Sequence, residues 1–498
     1  MGQLKKLIHR DTGVVEMDAS IVRQVRVDSR EVMEGDVFFA IPGDRFDGAD
    51  FIGKALSRGA LCAVAARVPE GIDPSRVLLV DDPMDSLSVC ADAYYGHPSS
   101  SMKVIGVTGT NGKTTVTYLL EAICREGGGV PGVIGTIQYR IGETTLDASL
   151  TTPFPHQLQS TLAKIRDKGG THVFMEVSSH GISQKRIGGI KFDGGVFTNL
   201  SRDHLDFHGD MESYFHAKKS FFTDVLPRGG EEGNGVINID SPFGTRLIGE
   251  LGGEFLSFGM SGDADVNVVT SSFSISGTRA VISTPGGKVN VESSLIGVHN
   301  LSNILAATAC AYWLGIDGEQ IEKGLSSVDS IPGRMERVDV PGNASIFVDY
   351  AHSPSGLEQV ISALLRFKKK RLILVFGCGG DRDRGKRPLM GEVAGRLADV
   401  SFVTNDNPRS EDPLSIIDEI LPGCEKGGAL PNQEMNVPNG QRIYLVEPDR
   451  KMAIEKAIAL SGEGDILLVA GKGHETYQLV GNEKKHFDDR EVIRQSNG

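Results

Sequence analysis

Short apolar runs punctuate the chain from residue 104 onward. Those at 104–107, 173–177, 196–200, 236–239, 372–376, 400–404 and 466–470 are strand-length and largely apolar, the pattern of strands covered on both faces. Between them the period turns helical, as where Met452, Ala453, Ala457 and Leu460 recur at helical spacing. The longest apolar stretch, 304–316, is interrupted by Thr308 and is too short to span a bilayer; it predicts a buried helix. Alternating strands and helices predict an α/β fold with parallel sheets, whose ligand sites lie beyond the carboxyl ends of the strands.

Two polar breaks, His97-Pro98-Ser99-Ser100-Ser101 and Ile331-Pro332-Gly333-Arg334, interrupt this alternation. They predict three domains, 1–100, 101–332 and 333–498, all of ordinary size. Composition changes this picture little. Apolar residues make up 39% and charged residues 23% of 498, which excludes a largely disordered chain. The net charge of −13 disfavours a nucleic-acid partner and leaves small anionic substrates open. The six cysteines are widely spaced, against a zinc site or a disulfide scaffold and in keeping with a reducing compartment. The first residues lack the apolar core of a signal peptide. A soluble, cytoplasmic protein without membrane insertion is expected.

The chemistry falls in the loops after the predicted strands. Residues 104–107 lead into Thr108-Gly109-Thr110-Asn111-Gly112-Lys113-Thr114-Thr115, followed by a helical pattern. Small residues let backbone N–H groups close around phosphate oxygens, Lys113 neutralises charge, and the Thr114 hydroxyl can reach a metal ion. The strict phosphate-loop spacing has a glycine where Val107 stands, with glycines at 106 and 109 around it. Glu176 sits at the end of a neighbouring strand, where a carboxylate suits Mg2+. His204, in Asn199-Leu200-Ser201-Arg202-Asp203-His204, reads either as a metal ligand or as a polar loop residue. Lys218, in Tyr214-Phe215-His216-Ala217-Lys218-Lys219, reads on these grounds as a solvated helix lysine.

Taken together, residues 106–115, Glu176-Val177-Ser178-Ser179-His180 and 198–206 resemble the Mur ligase family, which makes amide bonds in peptidoglycan precursors at the expense of ATP. The resemblance runs along the whole chain, through Gly297-Val298-His299-Asn300 with Asn303, Pro332-Gly333-Arg334 and Val348-Asp349-Tyr350-Ala351-His352. It continues in Gly380-Asp381-Arg382, Asp406-Asn407-Pro408-Arg409 and Gly471-Lys472-Gly473-His474-Glu475. The last three point to the branch that extends UDP-MurNAc-L-Ala-D-Glu, and the Asp-Asn-Pro-Arg form to members that add meso-diaminopimelate.

The resemblance implies a UDP-binding N-terminal α/β domain, a central phosphate-loop ATPase-like domain and a Rossmann-like C-terminal domain. It implies ATP at Gly109, Thr110, Asn111, Gly112, Lys113, Thr114, Thr115, Asn303, Arg334 and Asp349. Mg2+ falls to Thr114 and Glu176, and a second Mg2+ to His204 and a carbamylated Lys218. Lys113, Glu176, His204 and Lys218 are then the catalytic set. The UDP-sugar dipeptide falls to Val27, Ser29, Asp44, Arg45, Phe46, Thr151, Thr152, Ser178, Gln184 and Arg186. Diaminopimelate falls to Arg382, Asp406, Asn407, Pro408, Arg409, Gly471 and Glu475. Diaminopimelate has a second carboxylate that lysine lacks, and Arg409 offers a planar donor fork for it; Asp406 and Glu475 suit the distal ammonium. His299 stands where the family often has an aromatic. The expected partners are these small molecules, with the chain acting as a monomer. A lysine-adding relative is the nearest alternative, separated by Arg409. An inactive ligase-like binding protein predicts loss of Lys113, Glu176 or His204, and all three are present.

Overall fold

A strand that is apolar on both faces must be covered on both sides, and each of the three main sheets is. The computed structural model describes residues 8–10, 13–15, 22–43, 46–148, 150–227, 233–340, 344–433 and 440–496. The first sheet is four-stranded and parallel, Val25–Arg26, Val37–Phe39, Cys62–Ala65 and Val77–Leu79 in sequence order. Successive side chains part to opposite faces: Phe39 packs with Val25, Val64 and Leu87, and Phe38 with Ala40, Ala63 and Ile52.

The second sheet has 11 strands. Its middle carries the strands expected from the apolar runs, Lys103–Thr108, His172–Glu176, Gly194–Phe197 and Gly235–Asn238, all parallel. Lys103–Thr108 lies between His172–Glu176 and Gly194–Phe197, so its carboxyl end opens onto the ends of both neighbours. The sheet is not parallel throughout, as the apolar runs predict. Gln138–Ile141 and Thr144–Asp147 add an antiparallel hairpin at one edge, and Val266–Ser274, Gly277–Thr284 and Gly287–Ser293 an antiparallel meander at the other. Thr144–Asp147, Val266–Ser274 and Gly287–Ser293 are exposed along much of their length, so they leave no continuous apolar run.

One face of this sheet (Ile105, Val107, Phe174, Val196) packs on helices Lys113–Glu126 and Val298–Trp313. The second helix contains the longest apolar stretch, and Ile304 through Ala307 are fully covered. Truncating Leu305 to Ala at such a site costs about 2–5 kcal/mol. The opposite face (Val104, Val173, Met175, Phe197) packs on Pro155–Asp167 and Met211–Ser220. Among the described residues no helix is long and apolar enough to cross a membrane.

The third sheet is seven-stranded, ordered Glu336–Arg337, Ser345–Asp349, Ile466–Ala470, Leu372–Phe376, Val400–Val403, Ile443–Val446 and Leu430–Pro431, and antiparallel only at the first pair. Helices Pro354–Leu365, Lys386–Leu397 and Pro413–Lys426 cover one face, and Arg450–Leu460 with Asp489–Gln495 the other. The polar break at 97–101 is a left-handed His97 (φ 52°) leading into a short 3-10 turn. Beside it the first unit is tied to the second by Lys185 Nζ, which donates to Asp82 at 2.7 Å and Asp85 at 2.6 Å.

Candidate active site

The loop after strand Lys103–Thr108 is built by glycines that no other residue can replace. Gly109 has φ 148° and Gly112 φ 90°. A Cβ on Gly109 would lie 1.9 Å from Thr198 Oγ1, and one on Gly112 2.2 Å from Asn303 Oδ1. The loop is closed from the neighbouring strand: Thr198 Oγ1 donates to Asn111 O (2.6 Å), and Asn111 N donates to Asn199 Oδ1 (2.9 Å). Lys113 opens the helix, and its Nζ folds back to donate to Gly109 O and Thr110 O at 2.9 Å each. A helix N-terminus with N–H groups facing a cavity and a cation on the loop is a phosphate cradle in chemical terms.

Glu176 ends its strand one step away. Its Oε1 accepts from Thr114 Oγ1 (3.0 Å) and Thr136 N (2.9 Å), and Oε2 accepts from Thr136 Oγ1 (3.0 Å). Arg334, from the third unit, donates to Thr114 Oγ1 at 3.0 Å. Thr152 Oγ1 donates to the carbonyl of Glu176 and accepts from Ser178 N. Arg186 Nη1 donates to Thr152 O (3.1 Å), Nη2 donates to Gln184 Oε1, and Nε is buried without an acceptor. Arg186 and Ser178 line the same cavity.

Lys218 corrects the reading taken from its residue type. It is 1% exposed, with Nζ donating to Gly109 O (3.0 Å) and lying over the Tyr214 ring. Burial and the nearby Lys113 charge push its amine well below the ordinary value. Its helix is largely polar, but Tyr214, Phe215 and Lys218 share the buried side. Tyr214 OH in turn lies 3.2 Å from Thr110 Oγ1, so this helix supports the loop from behind.

Residues that motif reading left aside form the joint between the second and third units. Asp203, 5% exposed, has Oδ2 3.5 Å from His204 Nε2 and 3.7 Å from His352 Nε2. His180 packs against Phe207 and against His204, with ring centroids 4.2 and 5.0 Å apart. Burial pushes His180, His204 and His352 below the ordinary imidazole value. His204 has φ 54°, which turns its ring toward this cluster. Ser201 and Ser355 hydroxyls meet at 2.9 Å across the joint, and Arg334 stacks on Tyr350. The signal in sequence was the density of His and Asp in 203–208 and 349–352; that the two segments meet was not visible.

A cavity of about 1060 Å³ collects most of the expected site. Its lining includes Thr110 through Thr115, Asn303, Arg334, Asp349, Thr151, Thr152, Glu176, Ser178, Gln184, Arg186, His204 and Arg382. His299 lines it too, beside Met260 and Asp240. Gly109 and Lys218 lie behind the loop rather than on the cavity wall. Val27, Ser29 and Phe46 stand apart on the first unit, Ser29 buried and Phe46 71% exposed. Asp44 and Arg45 lie outside the described residues.

The expected acceptor residues divide. Arg382 faces the cavity, whereas Asp406, Asn407, Pro408, Arg409, Gly471 and Glu475 form a polar cluster off it. Arg409 Nη1 donates to Gly380 O (2.7 Å), and Asn407 Nδ2 donates to Glu475 Oε2 (2.9 Å). Lys472, fully buried and not singled out from sequence, donates to both Asn407 Oδ1 and Glu475 Oε2. An ammonium of the chain's own therefore already sits at Glu475. Burial and the Asp406 charge raise the Glu475 carboxyl above its ordinary value. Gly471 has φ 114°, and a Cβ there would lie 2.5 Å from Asp406 Oδ2.

Family models agree with this arrangement. Residues 21–78 match the Mur ligase family catalytic domain, 107–311 the Mur ligase middle domain, and 333–473 the Mur ligase glutamate ligase domain. The chain belongs to the Mur ligase family, enzymes that form amide bonds at the expense of ATP. A UDP-N-acetylmuramoyl-L-alanyl-D-glutamate--2,6-diaminopimelate ligase of Geobacter metallireducens is 45% identical over 473 residues, covering 94% of this chain and 92% of the relative. One of the same name from Geobacter sulfurreducens is 43% identical over 471 residues, covering 93% and 92%. A solved structure of a ligase of that name superposes with a TM-score of 0.67 at 30% identity, covering 100% of this chain and 99% of the other.

Proposed function

We propose that this chain joins meso-diaminopimelate to the D-Glu side-chain carboxylate of UDP-MurNAc-L-Ala-D-Glu, with ATP converted to ADP and phosphate through an acyl phosphate. The observation that carries this is a shared cavity lined by Lys113 of the glycine loop, by Arg186 and Ser178, and by Arg382 of the third unit. The names of the full-length relatives supply the substrates. Residues 1–100, 101–332 and 333–498 then serve as the UDP-substrate, ATP and amino-acid domains.

Lys113 and the loop N–H groups hold the ATP phosphates, with Asn303, Arg334 and Asp349 around the same nucleotide. Arg186 and Ser178 orient the muramyl dipeptide so that its D-Glu carboxylate oxygen attacks the γ-phosphorus and ADP leaves. The amino nitrogen of diaminopimelate then attacks the acyl carbon, and phosphate departs as the amide forms. Arg382 and Arg409 take the acceptor's carboxylates. Lys113 stabilises charge in the first step, largely by position and electrostatics.

The donor set suits Mg2+. Thr114 and Glu176 offer hard oxygens 3.0 Å apart at the loop. Mg2+ commonly keeps phosphate and water among its ligands, so two protein oxygens suffice. Lys218 Nζ is buried and donates to Gly109 O, and burial lowers its amine toward the neutral form that carbamylation requires. Thr114 and Glu176 would hold one Mg2+, and His204 and carbamylated Lys218 a second, neutralising charge on the phosphates.

The test is isotopic. With heavy oxygen in the D-Glu side-chain carboxylate, one labelled oxygen is expected in the released phosphate for each amide formed. Amide formation with unlabelled phosphate would contradict the acyl phosphate.

A further inference from the structure

The two arginines assigned above to the acceptor stand on separate loops, and each loop holds a residue in an unfavourable backbone conformation. Asp381 has φ 52° and Arg409 φ 53°. Left-handed backbone at a residue other than glycine persists only where the surroundings enforce it. Here the two loops enforce each other. Ser410 N and Oγ donate to the Asp381 carboxylate at 3.1 and 2.7 Å, and Asp381 N donates to Glu411 Oε1 at 2.5 Å. Gly380 N donates to Asn407 O, and a Cβ on Gly380 would lie 1.9 Å from Pro408 O. The loops are in direct backbone contact.

Arg387 anchors this junction from below. Its side chain is 0% exposed, with Nη1 and Nη2 donating to the two Glu411 oxygens at 2.9 and 2.8 Å and Nη1 also donating to Glu419 at 2.9 Å. Nη2 reaches Gly379 O at 3.4 Å, on the other loop. A buried guanidinium is a poor source of net stability, since well-packed apolar residues usually serve as well. What a bidentate pair adds is fixed geometry. Arg387 is fully buried, and both Glu411 oxygens are taken up by Arg387 and by Asp381 N, so the pair acts through the loops and not on a substrate.

We propose that Arg387 and Glu411 are positioning residues that set the spacing between Arg382 and Arg409, and with it the preference for an acceptor carrying a carboxylate at each end over one carrying a single carboxylate. This rests on the acceptor reading given above. A rigid spacing favours two carboxylates over one because both contacts form without further ordering. A loosened junction loses that advantage while the ATP end of the cavity is unaffected.

The experiment uses the full-length enzyme and three variants, Glu411→Gln, Ser410→Ala and Arg409→Ala, with KM measured for diaminopimelate, ATP and UDP-MurNAc-L-Ala-D-Glu. Ser410→Ala removes one exposed hydroxyl and so tests the junction without endangering the fold. Glu411→Gln is expected to raise the diaminopimelate KM about tenfold, and Ser410→Ala about threefold, with the ATP KM within about twofold. The ratio of kcat/KM for diaminopimelate over L-lysine falls in parallel. Equal shifts in all three KM values, or a lower kcat with diaminopimelate KM unchanged, would mean a general structural role and overturn the inference. If Arg409→Ala raises the diaminopimelate KM and the other two variants do not, the positioning role alone fails. If Arg409→Ala leaves it unchanged, the acceptor reading fails with it.

Discussion

Residues 109–115 make the proposed phosphate site from the backbone of one contiguous stretch, with two left-handed glycines packed so closely that no Cβ fits. The proposed acceptor site is made from side chains of three distant segments, around Arg382, Arg409 and Glu475, tied by charged hydrogen bonds. The difference suits the tasks. Every nucleotide presents the same phosphate oxygens, which backbone N–H groups can hold. An acceptor must be told from its relatives, and that needs donors of particular shape at particular spacing. The first kind of site is rigid and intolerant of substitution; the second can be altered by degrees.

Substitutions should separate the two. Lys113→Ala should have the largest effect, lowering ADP release about a thousandfold; steady-state ADP release with all substrates present checks it. Gly109→Ala forces a Cβ to 1.9 Å from Thr198 Oγ1 at φ 148°, and should cost about a hundredfold in kcat/KM for ATP through misplacement alone. Arg409→Lys keeps the charge and loses the planar fork; it should raise the diaminopimelate KM about tenfold and leave the ATP KM unchanged. A variant that moved both KM values equally would blur the distinction between the sites.

The smallest effect is one of pH. Burial pushes His474, next to Glu475 in the chain and packed on Tyr350, down to about 3 from its ordinary 6.5. The unfolded chain takes up this proton as pH falls through 6.5, while the folded chain refuses it until about 3. Stability from keeping this ring neutral is therefore complete above pH 6.5 and declines as the pH falls toward 3. Urea unfolding at several pH values should show a gentler acid slope in His474→Gln. An unchanged slope would show that His474 titrates alike in both states.

The same contrast explains what the chain discloses before folding. The phosphate loop is contiguous and lies between an apolar strand and a helix, so its residues and their order suffice to read it. The parallel strands stand out because burial on both faces requires continuous apolar runs. Strands Thr144–Asp147 and Gly287–Ser293 face solvent on one side and leave no such run. Lys218 looks like any surface lysine, because its burial depends on the packing of Tyr214 and Phe215 beneath the loop. The Asp203–His352 joint brings together residues far apart in the chain, and only the assembled units create it. The acceptor cluster was read through family resemblance; its local residues alone read as a turn.

The central claim is that ATP cleavage in the cavity is coupled to an acceptor chosen by its second carboxylate at Arg409, in the cluster off the cavity. The most direct measurement is phosphate release from ATP and UDP-MurNAc-L-Ala-D-Glu with meso-diaminopimelate or L-lysine as the only acceptor. Release with diaminopimelate and little with lysine is the predicted result. Equal release with both would contradict the role given to Arg409, and release with neither would contradict the ligase reaction itself.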